Sequence, residues 1–322
     1  MKHDLEGFVG DIGYRQSHGN LSRLEKYLAA RIKALNLASI DDYRSYVTGN
    51  GPAHISERQV LAEVLTSRET YFMRDRGQMA LLRSRILPEL IRRRRECGLR
   101  YLRLWSCACS TGEEPYSLAI LLRELLQDFD TWDIRIYGTD INATALRRAE
   151  AGVYGAWSFR ECDAEFVRSY FLPHAHGWEI RQDIKSQVSF LHNDVLHDRL
   201  PDAGRDLANF DLIICRNLFI YLDTEAIGAV AHKLAECLMT GGYLLTGHGE
   251  LINGRPELLQ ARMHEESIVF VKESGPIAAF PGRASNKRRW VPPACVEKSA
   301  MRIPVMCWAG SSHRSMRRAL PM

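Results

Sequence analysis

The sequence predicts an α/β protein, a mainly parallel sheet with helices on both faces, preceded by an all-helical segment. Three observations carry this. From Arg100 onward, short apolar runs alternate with stretches of helical spacing, the pattern of strand–helix units that build parallel sheets. Before Arg100, apolar residues recur at helical intervals, as at Leu21, Leu24, Leu28, Ile32 and Leu35. Polar clusters follow four of the apolar runs, at the carboxyl ends where open parallel sheets bind ligands. A length of 322 residues suits two domains, and 46% hydrophobic with 25% charged residues suits a soluble chain with a sizeable core.

Taken in order, helices are expected over residues 21–36, 41–47 and 57–65, a small N-terminal module over 1–65. After TSRETYFMRD (66–75) a helix runs to about Arg95. YLRLWSCA is a strand and 111–126 a helix; DIRIYGTDI is a second strand and 143–151 a helix. VSFLHNDV and FDLIICRN follow as strands, then a helix over 225–238, then GGYLLTGHG and SIVFVKE. The connection from Glu250 to Glu266 has little helical periodicity, so the last two strands are expected to form an antiparallel edge. Residues 152–187 interrupt the alternation, and GWEIRQDI within them alternates as a small strand pair would, an insertion of the kind that carries partner binding. The second domain is therefore drawn over 66–274, with 152–187 inserted.

Residues 275–322 differ in composition. They hold nine Lys and Arg against one acid, and six of the twelve prolines. This reads as a solvated basic extension, with no nucleic-acid partner expected. A second basic run spans Arg74 to Arg103, ten arginines against three acids, a concentrated positive face that reads either as a docking surface for an anionic partner or as a solvated helix surface.

No apolar run approaches the ~20 residues of a membrane span, and MKHDLEGFVGDIGYRQ has no signal-peptide core, so membrane insertion is not expected. The eight cysteines include no CxxC pair, and His174 and His176 read as solvated loop residues, so no metal site is expected. A reducing cytoplasm fits this cysteine usage.

The stretch LWSCACSTGEEPYSLAILL is the most informative. An apolar strand gives way to Ser110-Thr111-Gly112-Glu113-Glu114-Pro115 before helical spacing resumes. Ser110 or Thr111 is expected to cap the helix, with Glu113 or Glu114 in the capping-box position and Pro115 in the first turn. Capping leaves one carboxylate over. Asp140 follows the second strand, where nucleotide-binding sheets hold ribose hydroxyls; Asn193-Asp194 follow the third and Arg216-Asn217 the fourth. The first turn offers carboxylates and one glycine, which would repel a pyrophosphate. A cationic nucleoside with an ammonium and a sulfonium fits, and S-adenosylmethionine (SAM) has both.

The segments ETYFMR, CSTGEEPYSLA, TDIN and CRNLFIYLD resemble the CheR chemoreceptor methyltransferases, protein-glutamate O-methyltransferases, over residues 8–273. The resemblance implies a Rossmann-like SAM-dependent methyltransferase sheet, with S-adenosylhomocysteine as product. It implies that Thr70 and Arg74 contact the methionine end, Glu113 the ammonium and Asp140 the ribose. Asp194 and Val195 would lie along the adenine, Arg216 and Asn217 would line the pocket, and Tyr221 would face the reacting methyl. Arg74 and Tyr221 would also orient the incoming carboxylate, making them the catalytic pair. Arg68 stands where the family often has Asn or a small residue. The implied partner is the glutamate-rich helical cytoplasmic domain of a methyl-accepting chemoreceptor. The short LPHAHG turn lacks a glycine-rich insertion, so no C-terminal tethering peptide is expected. The rival readings are a SAM methyltransferase for another acceptor, and a SAM-binding adaptor of a signalling array.

Overall fold

A computed structural model describes residues 2–15, 21–49, 51–66, 69–252 and 254–273, all within one compact unit. Arg68 and the basic extension lie outside the described residues. The chain opens with four helices: α1 (Lys2–Asp11), α2 (Leu21–Ala34), α3 (Ile40–Val47) and α4 (Pro52–Leu65). The first of these was not apparent from spacing. Their apolar stripes meet in one cluster around Phe8, Leu24, Leu28, Tyr43, Val47 and Leu61. The Glu57 carboxylate is buried there, accepting from Arg31 Nη2 at 2.6 Å and from Tyr43 Oη at 2.6 Å.

A linker then leads to α5 (Arg76–Leu81), a π-helical turn (Leu82–Ile86) and α6 (Leu87–Glu96). The strand–helix region follows as β1 (Tyr101–Cys107), α7 (Glu113–Leu125), β2 (Asp133–Asp140) and α8 (Ala143–Ala151). The insertion contains β3 (Val153–Tyr154), α9 (Ala164–Tyr170), β4 (Phe171–His174), β5 (Gly177–Ile180) and α10 (Gln182–Lys185). The chain continues with β6 (Val188–His192), β7 (Phe210–Cys215), α11 (Thr224–Cys237), β8 (Leu238–Thr246), β9 (Leu259–Met263) and β10 (Ile268–Lys272).

Seven strands form the main sheet in the order β6-β2-β1-β7-β8-β10-β9. The first five are parallel and the last two antiparallel, so the expected antiparallel edge is present and gains one strand, β9, from the connection that lacked helical periodicity. Strand alternation sorts the core. Leu102, Leu104, Leu212, Ile214, Tyr243 and Leu245 face α5, α6 and α7; Trp105, Cys107, Ile213, Cys215 and Leu244 face α11. With both faces covered, β7 is buried along its whole length, as a parallel strand requires. The inserted sheet has three strands, β3-β5-β4, and only the first half of GWEIRQDI is extended; its second half turns into α10.

Much of the arginine run is engaged by acids and carbonyls of this chain, while Arg76, Arg83, Arg92 and Arg100 stay more than half exposed. α6 ends where β1, β7 and β8 begin, so its arginines sit at the amino ends of the strands. Arg94 is buried against Asp211 at 2.6 Å, Arg93 donates to the Gly241 carbonyl at 3.0 Å, and Arg92 pairs with Glu89 and Glu96. Arg95 and Arg100 share Asp128, Arg103 holds Asp206 and Arg83 holds Glu124. The spacing of like charges and the nearby Glu89 and Glu96 were legible in the sequence; Asp128, Asp206, Asp211 and Glu124, folded against the other arginines, were not.

Candidate active site

Strand order reverses at β1, between β2 and β7, and a cavity of about 270 Å³ opens there at the carboxyl ends. Thr70, Arg74, Asp140, Asp194, Val195, Arg216, Asn217 and Tyr221 all line it. Glu113 does not. It opens onto an adjoining cavity of about 190 Å³ that shares Glu69, Thr70 and Ala145 with the first.

The loop from β1 to α7 takes an unusual path. Ala108, Ser110 and Gly112 have φ of 61°, 52° and 91°, three alternate residues in the left-handed region. Two of them carry side chains, which cost about 1–3 kcal/mol each in such conformations and mark a site held open by its surroundings. Only glycine fits the third: a Cβ at Gly112 would lie 2.7 Å from the Ala149 Cβ. The helix begins at Glu113 with Gly112 as its N-cap, so neither Ser110 nor Thr111 caps it through a side chain. The Thr111 hydroxyl instead donates to the Glu113 carboxylate at 2.7 Å, and Ser158 of the insertion donates to its other oxygen at 2.9 Å. Glu113 is 2% exposed, and burial raises its pKa against the lowering pull of those two hydroxyls.

The second carboxylate of the turn has a different task. Glu114 accepts from Arg216 Nε at 2.6 Å and from the Ser106 hydroxyl at 2.6 Å. Arg216 Nη1 donates to the Arg74 carbonyl at 2.8 Å and to Gln78 Oε1 at 3.1 Å. Gln78 is itself fully buried and anchored on the Thr246 carbonyl and Ser267 hydroxyl. Arg216 is thus fixed on two nitrogens while Nη2, also buried, has no protein partner. Nη2 is therefore an unsatisfied buried donor on a residue that lines the cavity.

Asp140 sits at the tip of β2. Its two oxygens accept the N–H groups of Ser110 and Asn142, each at 2.8 Å, which ties the loops after β1 and β2 together. Burial raises its pKa against those bonds. Asp194 is more heavily committed, to Arg58 of α4 at 3.2 Å, to His197 Nδ1 at 2.9 Å and to two backbone amides. Burial alone would raise its pKa; His197 and Arg58 outweigh that and lower it. Val195 beside it presents an apolar wall.

The linker is pinned by Phe72, fully buried among Tyr154, Phe159 and Phe171 with ring centroids 4.9–5.2 Å away. Its N–H donates to the Ser158 carbonyl. Arg160 of the insertion lies 3.5 Å over the Tyr71 ring and 4.3 Å over Trp157, and pairs with Glu69 at 2.8 Å. Arg74 donates to the Glu69 carbonyl, so the insertion supports the segment that carries Thr70 and Arg74 into the cavity.

Several contributors were invisible in the sequence. Tyr14, Ala62, Glu63 and Thr66 bring the N-terminal helices into the cavity wall. Glu250 Oε2 accepts the amides of Asn217 at 3.1 Å and Gly247 at 3.0 Å, holding Asn217 at φ 58°. A Cβ at Gly247 would meet the Glu250 carboxyl at 2.6 Å, so a larger residue there would push that carboxyl aside. The GHGE string was the available signal, and spacing alone gave it no meaning.

Among the described residues, no helix is long and apolar enough to cross a membrane. Comparison with known proteins places this architecture. The profile described as CheR methyltransferase, SAM binding domain, matches residues 68–268. Chemotaxis protein methyltransferase 1 of Pseudomonas aeruginosa is 31% identical over 222 residues, 66% of this chain and 77% of that one. Chemotaxis protein methyltransferase 2 of Vibrio cholerae is 30% identical over 250 residues, 77% of this chain and 84% of that one. The probable biofilm formation methyltransferase WspC of Pseudomonas aeruginosa is 30% identical over 295 residues, 90% of this chain and 66% of that one. The Rossmann-like sheet, its acid-tipped strands and this sequence match agree, and the chain belongs to the CheR family of SAM-dependent methyltransferases.

Proposed function

We propose that the chain transfers the methyl group of SAM to glutamate side-chain carboxylates of a chemoreceptor's cytoplasmic domain, giving methyl esters. The observation that carries this is the pairing, in one cavity, of the nucleoside acid Asp140 with Arg74, Arg216 and Tyr221. Such a wall suits an anionic acceptor beside a sulfonium nucleoside.

The residues fit the cofactor. Asp140 keeps lone pairs for ribose hydroxyls beyond its two amides, Val195 and the Asp194 backbone flank a planar base, and Glu113 is a buried acid for an ammonium. Thr70 and Arg74 take the methionine carboxylate, and Arg216 and Asn217 close the wall after β7. SAM, when bound, supplies a methyl on a sulfonium sulfur that a carboxylate oxygen can displace. A glutamate is ionised at neutral pH, with an unperturbed pKa near ~4.3, so no general base is required. The chain's task is to exclude water and align the acceptor, effects worth up to ~7–11 kcal/mol. Tyr221 and Arg74 orient that carboxylate through hydrogen bonds, with Arg216 held rigid by Glu114 behind them.

In this reading residues 1–65 are a helical domain, 66–274 the methyltransferase domain with its insertion at 152–187, and 275–322 a basic tail. The N-terminal helices at the cavity rim meet the receptor, since the arginines of α6 lie at the opposite end of the sheet. The short β4–β5 turn at His174–Gly177 supports docking without a tethering peptide. The relative matching 90% of this chain is named for biofilm formation, which favours as a second reading the same chemistry in an array whose output is not swimming.

Tritiated SAM incubated with receptor-containing membranes of the native host should yield protein-bound label released by base as methanol. Label stable to base, or absent, would refute ester formation. The electrostatics add a prediction. Because burial holds Glu113 protonated to a higher pH than an ordinary carboxylate, and an ammonium needs it ionised, affinity should be full above that raised pKa and fall as pH drops through it. Titration calorimetry with S-adenosylhomocysteine should show proton release on binding in that window. Glu113→Gln should weaken binding and flatten the profile to the residual contributed by Asp140; an unchanged profile would place the ammonium elsewhere.

A further inference from the structure

Tyr221 sits on a short loop after β7 whose shape is fixed from an unexpected direction. α1 ends at Asp11, and Gly13 at φ 80° turns the chain, with its N–H on the Gly10 carbonyl and the Tyr14 N–H on the Val9 carbonyl. Glycine permits this reversal at no steric cost. The chain then runs extended along residues 221–223, and Tyr14 forms an antiparallel bridge with Leu222. Two hydrogen bonds close the bridge: the Arg15 N–H donates to the Tyr221 carbonyl at 2.6 Å, and the Asp223 N–H donates to the Gly13 carbonyl at 3.2 Å.

The bridge joins two cores. Leu222 is fully buried in the cluster beneath β7 and α11, whereas Tyr14 packs against both that cluster and the one inside the N-terminal helices. Tyr14 also lines the cavity, where burial and the charges of Asp194 and Asp140 raise its pKa, so it faces the nucleoside acids as a neutral phenol. On the other side, the Tyr221 N–H is tied to the Leu218 carbonyl at 3.0 Å. Tyr221 therefore has its backbone bracketed, with the downstream bracket supplied by a segment more than two hundred residues away in sequence.

We infer that Gly13–Arg15 is a positioning strap for Tyr221, through which the N-terminal helices complete the acceptor side of the site. This rests on the reading above, that Tyr221 faces the reacting methyl. The strap acts through backbone atoms, since the Arg15 side chain is exposed. It gives receptor docking on the N-terminal helices a mechanical route to Tyr221: a shift of α1 is a shift of the bridge.

Arg15→Pro isolates the effect in the full-length protein. Proline deletes the N–H that holds Tyr221 and suits an extended segment, including the residue before it. Arg15→Ala, which keeps the N–H, is the reference for loss of the side chain. Relative to it, Arg15→Pro should lower kcat for methyl transfer by on the order of 10- to 100-fold, the scale of a misplaced catalytic group. Its affinity for S-adenosylhomocysteine by calorimetry should stay within about threefold, which also reports on folding. Tyr221→Phe should lower kcat, and adding Arg15→Pro to it should cost little more, because both act through one side chain. Equal kcat for the proline and alanine variants, or losses that multiply in the double variant, would overturn the strap. If Tyr221→Phe leaves kcat intact, the reading of Tyr221 itself falls, and the strap with it. Hydrogen exchange on the unmodified protein gives an independent check, since the Arg15 amide should be protected as strongly as those of 221–223. Exchange at the rate of a free peptide would contradict the bridge.

Discussion

Glu114→Ala should destabilise the protein by about 3–5 kcal/mol, the usual consequence of leaving a buried charge without its partner. The Arg216 side chain is 3% exposed and that of Glu114 12%, so solvent cannot replace the lost carboxylate. Glu114 also takes the Ser106 hydroxyl, which would be orphaned at the same time. A fall in melting temperature of roughly 10 °C corresponds to this loss in a chain of this size. Glu114→Gln keeps an acceptor without the charge and should fall between the two. The pair itself need not be stabilising, because desolvation offsets much of its attraction. Glu114→Ala combined with Arg216→Met should therefore recover much of the stability in urea unfolding while methyl transfer stays lost. Recovery of activity along with stability would show that Arg216 serves only the fold.

Asp140→Ala should weaken S-adenosylhomocysteine binding by about two to four orders of magnitude. Hydrogen bonds from hydroxyls to a carboxylate contribute about 1.5–3 kcal/mol each, and the ribose offers two hydroxyls. The substitution also frees the amides of Ser110 and Asn142, so the loop that holds Ala108 and Ser110 in left-handed conformations loses its anchor. Asp140→Asn keeps one carbonyl oxygen and should lose less affinity. Calorimetry on both variants, with circular dichroism to confirm folding, checks this. An affinity unchanged in Asp140→Ala would move the nucleoside out of the cavity.

Most of the sheet was legible because strand and helix periods are local properties, and Asp140, Asn193-Asp194 and Arg216-Asn217 stood out as polar residues at the ends of apolar runs. What was missed depends on contacts between distant segments. Ala108 and Ser110 hid a loop geometry that glycines would have announced. Gln78 looks like an ordinary helix residue until its bonds to Thr246, Ser267 and Arg216 are seen. Of the paired carboxylates after β1, one was expected to complete the helix cap and the other to meet a ligand, yet each lines a cavity and Glu114 also braces Arg216. The α6 arginines were only partly legible for the same reason: Arg94 and Arg95 pair with Asp211 and Asp128 from elsewhere in the chain, whereas Arg92 and Arg93 pair with acids of α6 itself. β9 escaped because only Leu259 of its five residues is buried, which leaves no alternation to detect.

A crystal structure with S-adenosylhomocysteine tests the account most directly, because it asks whether the two adjoining cavities are one site. The expected result is a single ligand spanning both, with adenine on Val195, ribose hydroxyls on Asp140, the ammonium on Glu113 and the sulfur turned toward Tyr221 and Arg74. A ligand confined to the larger cavity with its ammonium away from Glu113, or one whose sulfur faces away from Tyr221, would contradict it.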